Sequence, residues 1–458
     1  MKMKRILHLF LCVLCVFVAA PLHAAKQNVI VIMADDIGAE GLGCYGSEIY
    51  TTPNLDRMAR EGARFNNAYA TPLCTPTRVM IMSGLYPPRT GFKALISKSA
   101  GVRMPADIRT FGHDFRAAGY RTAIAGKWQL GKFHEYPEQP VEHGFEEYCM
   151  WTWFYKGKKS SRYYEPQVYR NGKVFDRSEE DFGPDEYCDF LLDFIDNNKE
   201  QPFFIYYPMA LVHSPFIHPP ALEKHARSNY TDDLDKQTVA FGHMITYMDH
   251  LIGKILTRLR KHDIDKNTLV LFTGDNGTHK NITSKIAGMD LKGGKGSMTE
   301  AGSRVPLLAW QPGTVRPAVR DEFFCLVDVL PTITSWAGIR LDRKLDGMDL
   351  SHLLTGKQGE KRKHVLINYG RGYFVRDKRF RLNQDGRLYD IPVSSDKARY
   401  SEKVTTDPRH DQRRQQLQTL LDGFMAIESE YEQSGDSKTV DSTKKKKNKK
   451  NKNGNKKQ

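Results

Sequence analysis

The chain has 458 residues, 40% hydrophobic and 27% charged, with a formal net charge of +15. That length suits one large α/β domain with a smaller appendage, or two or three domains. The charge does not mark a nucleic-acid binder: the tail from Gly435 to Gln458 carries +8 and the first residues +3, leaving +4 elsewhere, with no basic helix or aromatic platform.

Lys2, Lys4 and Arg5 precede an apolar run over residues 6–20, followed by Pro21-Leu22-His23-Ala24-Ala25. Basic start, apolar centre and small residues predict a signal peptide over 1–25, cut near Ala24 or Ala25, and so an exported protein, periplasmic or secreted. A retained anchor needs about 20 apolar residues. No other segment approaches that length, so no integral membrane segment is expected after cleavage. Cys12 and Cys15 leave with the leader. Cys44, Cys74, Cys149, Cys188 and Cys325 show no C-x-x-C framework or zinc pattern, which leaves disulfides and buried free thiols both open.

Residues 28–33 form a continuous, β-branched apolar run, read as a buried parallel strand that ends in Ala34-Asp35-Asp36. Thr52-Pro53-Asn54-Leu55-Asp56 opens a helix that runs to Arg60 and stops at Gly62. Cys74-Thr75-Pro76-Thr77-Arg78 follows. A second strand, 120–125, ends in Gly126-Lys127-Trp128; a third, 203–207, leads to Leu211-Val212-His213-Ser214-Pro215.

Over 235–262, Phe241, Met244, Ile245, Met248, Leu251, Ile252, Ile255, Leu256 and Leu259 recur on one helical face, the pattern of core packing. A fourth strand, 268–272, ends in Gly274-Asp275-Asn276-Gly277, and another spans 305–310 after a glycine-rich loop. The alternation predicts an α/β fold, a large, mostly parallel or mixed sheet sandwiched by helices. Beyond residue 355 short strand-like pieces at 364–367, 373–376, 380–382 and 387–389 precede an amphipathic helix over 412–427, a small antiparallel sheet with one helix. The expected plan is leader 1–25, catalytic domain 26–355, α+β subdomain 356–434 and a disordered Lys/Asn-rich tail 435–458. That tail is either simply solvated or a tether to an anionic surface or polysaccharide.

In open α/β sheets ligands bind beyond the carboxyl ends of strands. Asp35, Asp36, Asp275 and Asn276 occupy such ends, and three carboxylates with an amide oxygen suit Ca²⁺ or Mg²⁺ rather than zinc. One Asp-Asp pair alone reads more readily as a helix cap or turn; two pairs strengthen the metal reading. Lys127 and Lys295 could neutralise a tetrahedral dianion. His213 is placed to protonate a leaving group. Taken singly, each lysine is more often a surface residue and the histidine structural; the ensemble carries the reading.

The ordered segments Ala34-Asp35-Asp36-Ile37-Gly38, Gly43-Cys44-Tyr45-Gly46, Thr52-Pro53-Asn54-Leu55-Asp56, Cys74-Thr75-Pro76-Thr77-Arg78, Gly126-Lys127-Trp128, Gly274-Asp275-Asn276-Gly277, Gly293-Gly294-Lys295-Gly296 and Leu388-Tyr389-Asp390 resemble type I sulfatases of the alkaline-phosphatase-like superfamily. The resemblance implies that a formylglycine-generating, sulfatase-maturating enzyme oxidises Cys74 to 3-oxoalanine (formylglycine). That residue would bind a divalent cation, commonly Ca²⁺, together with Asp35, Asp36, Asp275 and Asn276. Arg78 would steady the hydrated aldehyde, Lys127 and Lys295 would hold sulfate oxygens, and His213 would protonate the departing alcohol. One hydroxyl of the hydrate attacks sulfur and the other expels sulfate, which serine could not do.

This chain departs from the family pattern at Gln129, where many members carry histidine; glutamine is no base near neutral pH, so it is expected to orient the hydrate or sulfate while water or another residue takes the elimination proton. His279 is a candidate substrate contact. The expected function is an exported sulfate-ester hydrolase acting on a sulfated saccharide. The alternatives are a phosphonate monoester or phosphodiester hydrolase of the same superfamily and a non-catalytic glycan-binding relative, the last disfavoured by the intact site. Loops 92–105 and 150–185 are expected to shape the pocket, with Trp151, Trp153, Tyr155, Arg162, Tyr163 and Tyr164 either stacking on sugar or packing.

Overall fold

Apolar runs flanked by turn residues become strands buried on both faces, and five of them lie side by side in parallel. They are β1 (Asn28–Ala34), β2 (Arg121–Lys127), β3 (Glu147–Trp151), β4 (Phe203–Pro208) and β5 (Thr268–Gly274), in spatial order β5-β1-β4-β2-β3. Every residue of β1, β4 and β5 is buried, as expected where helices cover both faces of a parallel sheet. The computed structural model describes residues 26–96, 103–133, 135–155, 157–220, 232–393 and 396–433. The segment 1–25 expected as a leader, the tail 435–458 and part of loop 92–105 lie outside the described residues.

Six further strands, five of them antiparallel to a neighbour, extend the sheet to 11 among the described residues. The hairpin Gln167–Arg170 and Lys173–Asp176 adds to β3. Beyond β5, Leu307–Trp310 pairs with Ala63–Tyr69, which also takes Arg304–Val305 and, in parallel, Ala318–Cys325. The strand expected over 305–310 is thus split at Pro306, which has no N–H to offer a ladder.

The main helices are α1 (Pro53–Glu61), α2 (Cys74–Ser83), α3 (Gly183–Asn198), α4 (Leu234–Lys261) and α5 (Asp411–Gln433). The apolar stripe of α4 is buried in the core, and Asp233 caps its start by accepting from Asp235 N and Lys236 N. Buried Asp249 of α4 also accepts from Asn54 N (3.1 Å) and Leu55 N (2.8 Å), satisfying the otherwise unpaired first turn of α1.

The C-terminal sheet is antiparallel, from Val365–Tyr369 through Gly372–Arg376, Phe380–Asn383 and Leu388–Asp390 to Lys403–Val404, and α5 packs on it through Leu417, Leu421 and Phe424. Two buried arginines join it to the main sheet. Arg376 reaches Glu300 (2.6 Å) and the Tyr69 hydroxyl (2.9 Å), and Arg304 reaches Asp396 (3.0 Å). Cys44, Cys74, Cys149, Cys188 and Cys325 are all free thiols, which resolves the open reading of the cysteines against disulfides. Among the described residues, no helix is long and apolar enough to cross a membrane.

Candidate active site

Cys74 is the first residue of α2, a helix with every residue buried, and Arg78 follows one turn later on the same face. The Arg78 guanidinium fixes this helix to three strand ends. Nη1 donates to the Lys127 carbonyl (2.7 Å), while Nη2 donates to Asp275 Oδ2 (2.9 Å) and lies 3.6 Å from Asp35 Oδ1. Cys74 itself is buried, within electrostatic reach of Arg78, Lys127 and Lys295.

The aspartates converge because of strand register. Ala34 of β1 pairs with Gly274 of β5, so the residues that follow emerge together. Asp275 N donates to the Ala34 carbonyl (2.9 Å), Asp35 N to the Leu211 carbonyl (2.8 Å) and Asp36 N to Asp275 Oδ1 (3.1 Å). Asp36 sits in the left-handed region (φ 64°), a conformation that a side chain adopts only where its surroundings hold it. Its Oδ1 accepts from Asn276 Nδ2 (2.9 Å); its Oδ2 lies 2.5 Å from Lys295 Nζ and 3.6 Å from His213 Nε2. Lys127 Nζ lies 2.5 Å from Asp35 Oδ2.

Two buried oxygens are left over. Asp35 Oδ1 and Asn276 Oδ1 have no hydrogen-bond partner. Unpaired buried acceptors are rare and costly. Oxygen atoms from three carboxylates and an amide are the donor set of a hard cation, so the residues present fit Ca²⁺ or Mg²⁺. Ionisation points the same way. Burial alone would raise all three carboxyls, yet Lys127, His213, Arg78 and Lys295 hold Asp35 well below the usual range, and His213 and Lys295 lower Asp36. Asp275 moves oppositely, up to about 7, because burial and the Asp35 charge outweigh Arg78 and Lys127. Such crowded negative charge is what a divalent cation relieves.

Lys127 closes β2, and the chain can bend there only at glycine. Gly126 has φ 118°, and a Cβ would lie 2.1 Å from the Pro208 carbonyl oxygen. Gly293 and Gly294, just before Lys295, are held close to neighbouring backbone. A Cβ on Gly294 would meet the Ala301 carbonyl carbon at 2.4 Å, so this glycine seats the loop against backbone.

His213 is partly buried just beyond β4. Its Nδ1 lies 2.7 Å from the Ser214 carbonyl, which can only accept, so that nitrogen carries the proton and Nε2 faces Asp36. Burial, with Arg162 and Lys127, drives the imidazole well below its ordinary value despite Asp36 and Asp35.

Gln129 and His279 make no hydrogen bond or ion pair to the aspartates or lysines among the described residues, although His279 is within electrostatic reach of Asp36 and Lys295. Gln129 is buried with φ 53°. His279 meets Phe216 edge-on at 5.5 Å and accepts at Nδ1 from Asn281 N. The aromatic loop divides: Trp151, Trp153 and Tyr163 are buried packing, while Tyr155 and Tyr164 are half-buried. Arg162, grouped with those aromatics in the sequence, instead enters the site. Its Nη1 lies 3.6 Å from Asp35 Oδ2. No motif flagged it as a charge-bearing site residue.

The arrangement, with its chemistry gathered beyond the carboxyl ends of a parallel sheet, is alkaline-phosphatase-like. The sulfatase family model matches residues 27–339, and the chain belongs to that family as a type I sulfatase, a sulfuric ester hydrolase. It is 33% identical over 377 residues to arylsulfatase A of Bos taurus, covering 77% of this chain and 72% of that protein. Over 379 residues it is 32% identical to N-acetylgalactosamine-6-sulfatase of Canis lupus familiaris, covering 75% and 70%. The solved structure of Ps i-CgsB in complex with k-i-k-neocarrahexaose shares the fold, with a TM-score of 0.75 at 24% identity over 88% of this chain and 93% of that one.

Proposed function

We propose that this protein is an exported sulfatase that removes sulfate from a sulfated carbohydrate, using formylglycine made from Cys74 and a bound divalent cation, Ca²⁺ or Mg²⁺. The observation that carries the reading is the helix bearing Cys74 and Arg78, tied by Arg78 to Asp275 beside the unpaired oxygens of Asp35 and Asn276. Export follows from the leader 1–25, and maturation requires a formylglycine-generating enzyme. Residues 26–355 would form the catalytic domain and 356–434 the subdomain. A saccharide is favoured because a relative covering three quarters of the chain is named for a sugar sulfate.

Asp35, Asp36, Asp275 and Asn276, with the modified residue 74, would hold the cation, which supplies positive charge for the nucleophile and the sulfuryl oxygens. The aldehyde, once hydrated, supplies two hydroxyls on one carbon, a chemistry that serine lacks. Arg78 orients residue 74 while holding Asp275. Lys127 and Lys295 neutralise the sulfuryl oxygens in a water-poor site, where their charge acts strongly. His213 delivers a proton from Nε2 to the departing ester oxygen, the anionic substrate favouring its protonated form.

Paired assays test the reading. Hydrolysis of an aryl sulfate well above that of an aryl phosphodiester is expected; cleavage of the phosphodiester alone would sink it. Gln129 is read as an orienting group, so Gln129→His should retain turnover within about tenfold, since histidine tolerates left-handed backbone and can bond to the same oxygens. Complete loss in steady-state assays would assign Gln129 another role.

A further inference from the structure

Arg162 is a buried cation whose use the reaction described above does not require. It is 5% exposed, and its Nη1 has no hydrogen-bond partner. The guanidinium lies over the Trp151 ring, 4.2 Å from the centroid, a contact that restrains it. The adjoining residues are clamped as well. The Tyr163 hydroxyl donates to the Ala210 carbonyl (3.0 Å) and also bonds the His213 carbonyl, and the Tyr163 ring stacks on Phe182. Trp151 Nε1 donates to the Ser160 carbonyl (3.2 Å).

The unpaired Nη1 faces Asp35 Oδ2 at 3.6 Å, beyond hydrogen-bond reach, and Lys127 already engages that oxygen at 2.5 Å. The charge of Arg162 also acts on both Lys127 and His213. A rigid donor left unsatisfied beside the group that holds sulfate oxygens and the group that protonates the leaving oxygen calls for an anion between them.

We propose that Arg162 is a further substrate-binding residue, donating from Nη1 to a non-bridging oxygen of the sulfuryl group. This rests on the sulfatase reading and adds a ligand to it. The contact is part of a planar, preorganised fork that a lysine cannot reproduce.

The test uses mature, metal-loaded enzyme with Arg162→Gln and Arg162→Lys. Against para-nitrophenyl sulfate, which carries no second anionic group, Arg162→Gln should lower kcat/KM about 100-fold, and Arg162→Lys should recover about tenfold of that. By calorimetry, inorganic sulfate should bind Arg162→Gln at least about tenfold more weakly than wild type. Melting curves and metal content of both variants accompany these readings.

Unchanged sulfate affinity in folded, metal-replete Arg162→Gln overturns the inference, as does a loss confined to saccharides carrying a second anionic group. A fall in melting temperature with kcat/KM preserved also overturns it, since Arg162 would then only balance carboxylate charge. Wild-type enzyme that binds sulfate yet hydrolyses no sulfate ester would instead remove the sulfatase reading, and the calorimetric comparison would still decide the role of Arg162.

Discussion

Replacing Cys74 by alanine should lower sulfate-ester hydrolysis by about 10⁴-fold or more, because losing the proposed nucleophile leaves only binding and charge stabilisation. The fold should survive. Cys74 is a small side chain at the start of α2, and its truncation costs on the order of 1 kcal/mol, so a melting curve close to wild type separates lost chemistry from lost structure. Cys74→Ser should be arrested rather than merely slow. Its single hydroxyl can accept the sulfuryl group but has no second hydroxyl to expel it, so intact mass should rise by about 80 Da on incubation with substrate. In native active enzyme, the peptide spanning Cys74 should be about 18 Da lighter than its cysteine form. Finding unmodified cysteine in fully active protein would refute the proposed nucleophile.

The second large effect concerns Asp35. One carboxylate faces Lys127 at 2.5 Å and both Arg78 and Arg162 at 3.6 Å, all at buried positions. Asp35→Asn keeps the shape but removes the charge that these cations share, and it weakens the proposed donor set for a divalent ion. Activity should fall about 10³-fold or more, and the metal-free variant should lose roughly 3 kcal/mol of stability, the cost of leaving buried charge uncompensated. Chelation of wild-type enzyme should abolish hydrolysis and lower the melting temperature, because an ion that binds only the folded state stabilises it. Adding back Ca²⁺ or Mg²⁺ separately shows which one serves. Wild-type metal content and turnover in Asp35→Asn would exclude Asp35 as a ligand.

Much of this site was legible because its pieces end strands that announce themselves. A run such as residues 268–272 has one plausible environment, a buried parallel strand, and whatever polar residue follows it lies at a strand end. The strand-end placement of Asp35, Asp275 and Lys127 is read in that way.

The strand Ala63–Tyr69 was not, since Asn66 and Asn67 interrupt its apolar pattern. Asn67 is buried only because the Asp321 carbonyl and Arg399, each more than 250 residues away in sequence, satisfy its amide. The outer strand Ala318–Cys325 escaped for the same reason: it is defined by its pairing with Ala63–Tyr69. Arg162 is expected from the sequence only to stack on sugar or to pack, because nothing near it distinguishes such an arginine from one that reaches Asp35.

Chemical identity and local pattern lie in the order of residues: which side chains can ligate, carry charge or be oxidised, and where apolar runs stop. Their meeting does not. The pairing of Ala34 with Gly274 sets Asp35 beside Asp275, the bend at Asp36 turns its carboxylate onto Asn276 and Lys295, and Arg78 carries the helix of Cys74 to both. These are long-range events, fixed by sheet register and the burial of paired charges, and they exist only once distant segments have closed around one core.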